Sequence, residues 1–462
     1  MRMKIRKALA LGLLFLPAFV TAQQGKDSVL KFSLTEAQNY ALQNSPVIKN
    51  ATIDLESAKK KIWETTTMGL PQVNGKLAYT DMITLPSIFT EIFSALNSPK
   101  FTSLLSSPDV ENLIGSNFTI PSINDLKWNA TLDITVSQLI FSGAWIIGLQ
   151  TSKAFKGLSE LAVTKSQIDL KEAVTNAYFL VLILQGNKAL LDTTYVNTTQ
   201  ILAQIDAMNK QGLNEETDVD QLQLTTSTIK NAKESLDKQL ESARNLLCFQ
   251  MGLNISQPIA LTDDLKGLSS NLANEGLLLK DFQVENIVDY QLMASQEKLA
   301  FMNYRYNQAS VLPDIAGFYQ HDDYYNKKNI MYMTPPDMFG ISMNIPIFAS
   351  GQRYERIGQA HLAYLKAKNS TQQASEALKM GYADAKSAYI NSLNKYNNNK
   401  DNIKLSEKIF QHTLIKYNQG SASSLELTQA QNQYLQNQTN YFMSIFDLIS
   451  SKCKLEKYVN EK

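Results

Sequence analysis

Side chains able to make and break bonds are sparse in this chain. It holds three histidines, His321, His361 and His412, and two cysteines, Cys248 and Cys453. His321 stands beside Asp322 and Asp323, which together offer a metal ion a nitrogen and two carboxylates; a polar strand end is the competing reading. His361 and His412 have no second ligand type at a clear spacing. Two cysteines are too few for a disulfide framework or a Cys-rich zinc site. They read as buried helix residues, with a redox role left open. Gly-x-Ser-x-Gly, Gly-x-x-x-x-Gly-Lys, His-Glu-x-x-His and Gly-x-Gly-x-x-Gly are absent. No catalytic residue, metal or cofactor is assigned, and the chain is not read as an enzyme.

With little chemistry to position, the elements carry the information. Of the 462 residues 44% are hydrophobic, enough for a folded protein, and only 19% are charged. The 44 basic and 43 acidic residues leave +1, which gives no electrostatic ground for nucleic acid. Glycine (19) and proline (12) are scarce, which favours helix over a β-sandwich. Residues 1–22 read as a secretory signal peptide. Arg2, Lys4, Arg6 and Lys7 precede an apolar stretch, Ala8–Val20, and Val20-Thr21-Ala22 offers a cleavage site. No cysteine follows the cut, so no lipid anchor is expected. Removal takes away those four charges and turns +1 into −3. The longest later apolar run, Ala177–Leu184, is eight residues and reads as buried helix, too short to cross a bilayer.

The chain repeats itself. Leu70-Pro71-Gln72-Val73-Asn74-Gly75 returns as Leu312-Pro313-Asp314-Ile315-Ala316-Gly317, and Ile140-Phe141-Ser142-Gly143 as Ile347-Phe348-Ala349-Ser350-Gly351. Gln211-Gly212 falls on Gln419-Gly420. Residues 34–253 and 276–459 are expected to be two copies of one unit joined by a linker, 254–275. The first copy carries an insertion, Leu85–Lys127, which either covers the mouth of the fold or packs as a surface loop.

Each copy reads helix, strand, loop, strand, very long helix, turn, helix. Thr35-Glu36 opens a helix expected to reach about Met68. Period-two alternation predicts strands over Gln72–Thr84, Trp128–Phe141, Ile315–Tyr325 and Met338–Phe348. In Trp128–Phe141, for example, Leu132, Ile134 and Val136 oppose Thr131, Asp133 and Thr135. After each strand pair two glycines 69 residues apart, Gly143 and Gly212, and Gly351 and Gly420, bracket a stretch without proline. As helix this is roughly 100 Å. Tyr382, Tyr389, Tyr396, Ile403, Phe410 and Tyr417 stand seven apart. So do Leu222, Ile229, Leu236 and Ala243, and Leu427, Tyr434, Tyr441 and Leu448. That period means coiled-coil packing between neighbouring helices.

Four strands of about ten residues with opposed polar and apolar faces fit a membrane β-barrel. Soluble sandwiches alternate as well, but the signal peptide and the long helices favour the membrane. Four strands cannot close, and lipid does not tolerate an open edge. A dimer's eight strands would be filled by side chains, whereas a trimer's twelve leave a lumen. Tyr79, Trp128, Phe141, Trp145, Phe339 and Phe348 suit an interfacial girdle, or else are ordinary core.

At this point the chain resembles the TolC family of outer-membrane efflux ducts. The resemblance rests on Leu34-Thr35-Glu36-Ala37, Ala41-Leu42-Gln43-Asn44-Ser45-Pro46, the two Leu-Pro strand starts, and Ile345-Pro346-Ile347-Phe348 before Gly351. Gly212-Leu213 with Thr217-Asp218-Val219, and Tyr417-Asn418-Gln419-Gly420, complete it. It implies a mainly α protein with a membrane β-barrel: a homotrimer with a 12-stranded barrel in outer-membrane lipid, on a long periplasmic α-helical barrel. It implies an exit duct for a tripartite efflux or secretion system, partnered by a periplasmic adaptor (membrane fusion protein) and an inner-membrane transporter. Carried over by position, the pore constriction falls on Thr217, Asp218, Tyr417, Glu426 and Gln429. The family's partner arginine falls on Ala422, so the charged link to Asp218 is missing. Gly212, Leu213, Gly420 and Ser421 are the expected adaptor-docking tips. The plainer reading makes Glu426 a solvated helix residue and Tyr417 the end of its stripe. A soluble periplasmic coiled-coil structural or adaptor protein is the rival function. It explains the helices but not the paired amphipathic strands.

Overall fold

The computed structural model describes residues 29–105, 122–264, 275–327 and 335–459. The expected signal peptide lies outside them, as do residues 106–121 of the insertion. In chain order the elements are β1 (Leu30–Phe32), α1 (Leu34–Asn44), α2 (Pro46–Thr67), β2 (Gln72–Asp81), α3 (Ser87–Leu96), α4 (Pro99–Leu105), α5 (Ile123–Lys127) and β3 (Trp128–Phe141). They continue with α6 (Gly143–Asn209), α7 (Glu216–Met251), β4 (Ile259–Leu261), α8 (Val288–Ala309), β5 (Asp314–Tyr324), β6 (Asp337–Asn344), α9 (Gln352–Asn418) and α10 (Ser424–Val459). Two short 3-10 turns precede α8.

The single helix expected from Thr35 to Met68 is two. Pro46 pushes Ser45 out of the helical region (ψ 131°) and opens α2 at its first turn. The last strand is shorter than alternation suggested. It stops at Asn344, because Ile345 precedes Pro346, which has no N–H for a ladder. The long helices match in length, α6 and α9 at 67 residues and α7 and α10 at 36. Among the described residues no helix is long and apolar enough to cross a membrane.

One compact unit is formed by Leu42–Ala173, Leu272–Asn402 and Met443–Lys462. It contains an antiparallel sheet in the order β2-β3-β5-β6. The register sorts side chains onto two faces. Lys76, Asp133 and Asp322 stand abreast, and so do Asn74, Thr135 and Gln320. The opposite face carries Val73, Leu77 and Tyr79 of β2 with Phe339, Ile341 and Met343 of β6. All six are more than half exposed, Phe339 at 78%. Tyr79 stacks on Trp128 across that face at 6.4 Å. A bare apolar sheet face is not a feature of a soluble monomer. Asp322 and Asp323, next to His321, lie within β5. Asp322 is buried and accepts from Gln320 Nε2 (2.9 Å) and Tyr324 Oη (3.3 Å). His321 Nδ1 meets Asp337 at 2.8 Å, so its partner is a strand neighbour.

Trp145, expected either in an aromatic girdle or in ordinary core, packs within the chain. It sits in the first turn of α6, where its indole N–H donates to Thr65 O at 2.8 Å. Its ring lies so close over Gly69 that no Cβ fits there. A glycine is therefore needed where α2 hands over to β2. In the same unit Lys457 donates to Asp169 (2.8 Å) and pairs with Glu172 (2.7 Å), tying α10 to α6.

The other unit comprises, among the described residues, 29–41, 174–264 and 403–442. β1 and β4 pair in parallel, joining Leu30–Phe32 to a segment expected as linker. Tyr178 fixes this ribbon, its one hydroxyl proton within reach of both Phe32 O (3.0 Å) and Asp263 (2.9 Å). The run Ala177–Leu184 is buried around most of its circumference, as its unbroken apolarity requires. The heptad stripes meet as seams. Ile201, Ile205 and Leu222 pack with Phe410, Leu427 and Tyr434. Phe410 stacks on Tyr434 at 5.9 Å, with ring planes 2° apart.

Candidate functional site

The two helix turns are built alike. Gly212 has φ 75° and Gly420 φ 74°, the left-handed conformation that ends a helix. Leu213 N donates to Met208 O at 3.0 Å, and Ser421 N to Lys416 O at 2.9 Å. No atom crowds either glycine, so the backbone angle is the only constraint. Leu213 is 66% exposed, an apolar side chain held out in water. Ser421 folds back, its hydroxyl donating to Lys416 O at 3.0 Å. The expected docking residues thus form two similar knuckles, one apolar and one polar.

Behind the knuckles lies a small polar cluster at the end of the seam. Ser424 Oγ donates to Asp218 and lies 3.5 Å from Gln221 Oε1. Asn214 Nδ2 donates to Tyr417 Oη at 3.4 Å, and Asn209 Nδ2 to Asn214 O at 2.8 Å. Tyr417 is half-buried at the edge of the Ile201–Leu222–Phe410 seam. Burial raises its hydroxyl pKa and the Asp218 charge adds to this, while the Asn214 bond opposes both. The hydroxyl is therefore a neutral hydrogen-bonding group at any physiological pH.

Of the expected constriction residues, Asp218 and Tyr417 belong to this cluster. Thr217 does not, since it is exposed and donates to Glu215 at 3.2 Å. Glu426 and Gln429 lie on the exposed side of α10. Glu426 N donates to Ser423 Oγ at 3.2 Å, a cap on the first turn. Ser424 was not foreseen. It makes the link to Asp218 from a position two residues beyond Ala422, where the resemblance had looked for an arginine.

Ser424 also begins a stripe. Gln431 and Gln438 follow at intervals of seven, both essentially inaccessible to solvent. Gln431 Nε2 donates to Thr198 Oγ1, and Gln438 Nε2 to Asn187 Oδ1 at 3.2 Å. Each glutamine leaves its Oε1 buried without a partner. The packing seam between α10 and α6 thus carries polar residues where heptad logic puts leucine.

The remaining chemistry-bearing residues are structural. Both cysteines are free. Burial raises the Cys248 thiol and pushes Cys453 up to about 12, which keeps both protonated. His361 packs among Tyr304 and Tyr364. Among the described residues no three metal-ligating side chains converge.

Comparison with known proteins bears on both ends of the chain. Residues 286–459 match the family model described as outer membrane efflux protein. No curated protein sequence matches the chain. Solved structures do. Against the outer membrane protein VceC of Vibrio cholerae the TM-score is 0.69 at 15% identity, covering 93% of this chain and 96% of that one. Against CusC, crystallised in a study of transmembrane channel formation, it is 0.73 at 15%, over 93% and 92%. Against the CmeC outer membrane channel of Campylobacter jejuni it is 0.70 at 14%, over 92% and 85%. At such identities the likeness establishes the fold, and it extends over nearly the whole chain.

Proposed function

We propose, from the match of residues 286–459 to the outer membrane efflux protein model and the fold shared with outer membrane channels, that the chain is an outer membrane efflux protein and that three copies form the exit duct of a tripartite export system. The duct conducts cargo passively across the periplasm and outer membrane. The observation that carries this reading is the sheet. Its apolar face is bare, its other face is polar, and β2 and β6 each have one strand neighbour. Lipid satisfies the first feature, water in a lumen the second, and edge pairing between copies the third. Twelve strands close with room for a channel, whereas eight do not. A periplasmic adaptor meets the Gly212 and Gly420 knuckles and recruits an inner-membrane transporter. The cluster around Asp218 and Tyr417 narrows the periplasmic end. Without a charged bridge it relies on the Ser424–Asp218 bond and on packing. The signal peptide, residues 1–22, directs export. No catalytic step is assigned to any residue.

The test is the mass of the detergent-purified protein together with its behaviour in planar bilayers. A trimer that forms ion-conducting channels is the expected outcome. A monodisperse monomer that inserts into bilayers would sink the architecture, and recovery of the mature protein in the soluble periplasm would favour the coiled-coil alternative.

A further inference from the structure

We propose that the duct wall carries a cargo subsite: an open cleft of about 860 Å³ that takes amphipathic aromatic cations. The cleft lies within the unit that holds the sheet, between α2, α6 and α8 where β3 and β5 meet the helices. Two lining residues set its orientation. Leu139 stands opposite Ala316, and Asp314 is two residues from Ala316, so both share the face of Ser137, Thr135 and Asp133. The inference rests on the duct reading, in which that polar face lines the lumen. The cleft then opens inward, and passing cargo meets it.

Its lining defines the ligand chemistry. Phe155 and Tyr306 are 44% and 42% exposed and Met68 is 64% exposed, so aromatic and thioether surface is left in water. Trp145 adds a ring but no donor, because its N–H is already bonded to Thr65 O. The cleft holds one cation, Lys61, which is neutralised by Glu64 at 2.8 Å. Asp314 has no ion pair among the described residues. The net field is negative beside π faces, which attracts an organic cation and repels an anion. A single carboxylate is too few ligands for a divalent metal. The volume is that of a small-molecule site.

Gly148 supplies a clean way to fill the cleft. A Cβ there meets only Thr65 Cγ2 and Tyr306 Cε2, each at 3.9 Å. Gly148→Met therefore places its Cβ without a clash, adds bulk to the lining and improves helix propensity. The experiment uses the full-length protein in lipid nanodiscs, with ethidium as cationic probe and fluorescein as anionic probe, read by fluorescence anisotropy against empty discs. Ethidium should bind saturably and fluorescein should not. Asp314→Asn should weaken ethidium about three- to fivefold, and Gly148→Met should remove binding. Both variants should keep trimer mass and single-channel conductance. A conducting trimer that binds neither dye, as when the neighbouring copy fills the cleft, overturns the subsite and leaves the duct standing. Equal binding of the two dyes, or wild-type affinity in both variants, overturns it as well. A preparation that is neither trimeric nor conducting overturns the duct and the subsite together.

Discussion

Tyr417 works through its ring and its hydroxyl at once. The ring closes the Phe410–Leu427 seam, and the hydroxyl accepts from Asn214. Tyr417→Ala removes partly buried ring surface and one hydrogen bond, a loss of about 2 kcal/mol at the knuckles. It should raise basal conductance in bilayers while the trimer persists. Unchanged conductance would mean the ring only packs. Glu426 poses a different question, because in a single chain it is exposed and unconnected to that cluster. If three Glu426 carboxylates ring the lumen, Glu426→Gln should reduce cation selectivity, since like charges around a narrow pore favour cations. An unchanged reversal potential in a salt gradient would place Glu426 on a solvated outer face. How far such residues were legible differs case by case. Tyr417 announced itself as the sixth member of a heptad stripe. Ser424 did not, because a serine at a helix start reads as a cap. Only the fold shows that its hydroxyl reaches Asp218, 206 residues earlier. Trp145 stays open between girdle and core in the sequence, because one aromatic residue after a strand looks the same whether it faces lipid or covers Gly69.

At the scale of elements, the α6–α10 seam has been kept polar at a cost. Gln431 buries an unpartnered Oε1, and its one partner, Thr198, already donates to Thr194 O at 2.8 Å. Gln431→Leu therefore orphans nothing and should stabilise the hairpins by about 1 kcal/mol, seen as a higher urea midpoint. A lower midpoint would show that the seam needs its amide. The ion pairs of Lys457 give a pH signature. Burial alone would raise the Asp169 carboxyl, but hydrogen bonds from Lys457 and Lys165 pull it below its ordinary value. A depressed carboxylate contributes stability above its unfolded pKa, about 4, and loses it as pH falls through the folded value. Burial likewise opposes the Lys457 ammonium, yet its bonds to Asp169 and Glu172 raise it, so that side weakens only in strong alkali. Asp169 is 45% exposed, so Asp169→Asn should cost only about 1 kcal/mol at pH 7 after screening and almost nothing near pH 2. An equal loss at both pH values would assign the effect to packing. The long helices were readable because proline is absent for 69 residues and apolar residues stand seven apart from Tyr382 to Tyr417 and along α7 and α10. β1 and β4 were not. Three residues cannot display a period, and the pairing of Leu30 with Ile259 exists only in the fold.

For the whole molecule the decisive surface is small. Both knuckles end matched helices, and in the proposed duct they are where the periplasmic adaptor would dock. The double variant Gly212→Glu, Gly420→Glu should abolish export while trimers remain in the membrane. The left-handed φ at each glycine makes any side chain costly by about 1 kcal/mol, and the added charge repels an apolar partner. Full export from the double variant would remove the knuckles from the docking surface. The four-strand sheet and its faces were open to sequence reading, whereas its partner copies were inferred only from what the sheet leaves unsatisfied.

The equal lengths of α6 and α9, and of α7 and α10, constrain how this gene can change. A codon added inside one long helix rotates every later side chain by about 100° and lifts one knuckle past the other. Insertions there should survive only in multiples of seven, and only when the second hairpin gains the same number. Between β2 and β3 no such rule applies, because no second helix has to match that segment in length. The one large length difference between the halves, 34 residues, lies mostly there. Natural variants of this protein should therefore differ freely in that loop and hardly at all in the count of residues from glycine to glycine.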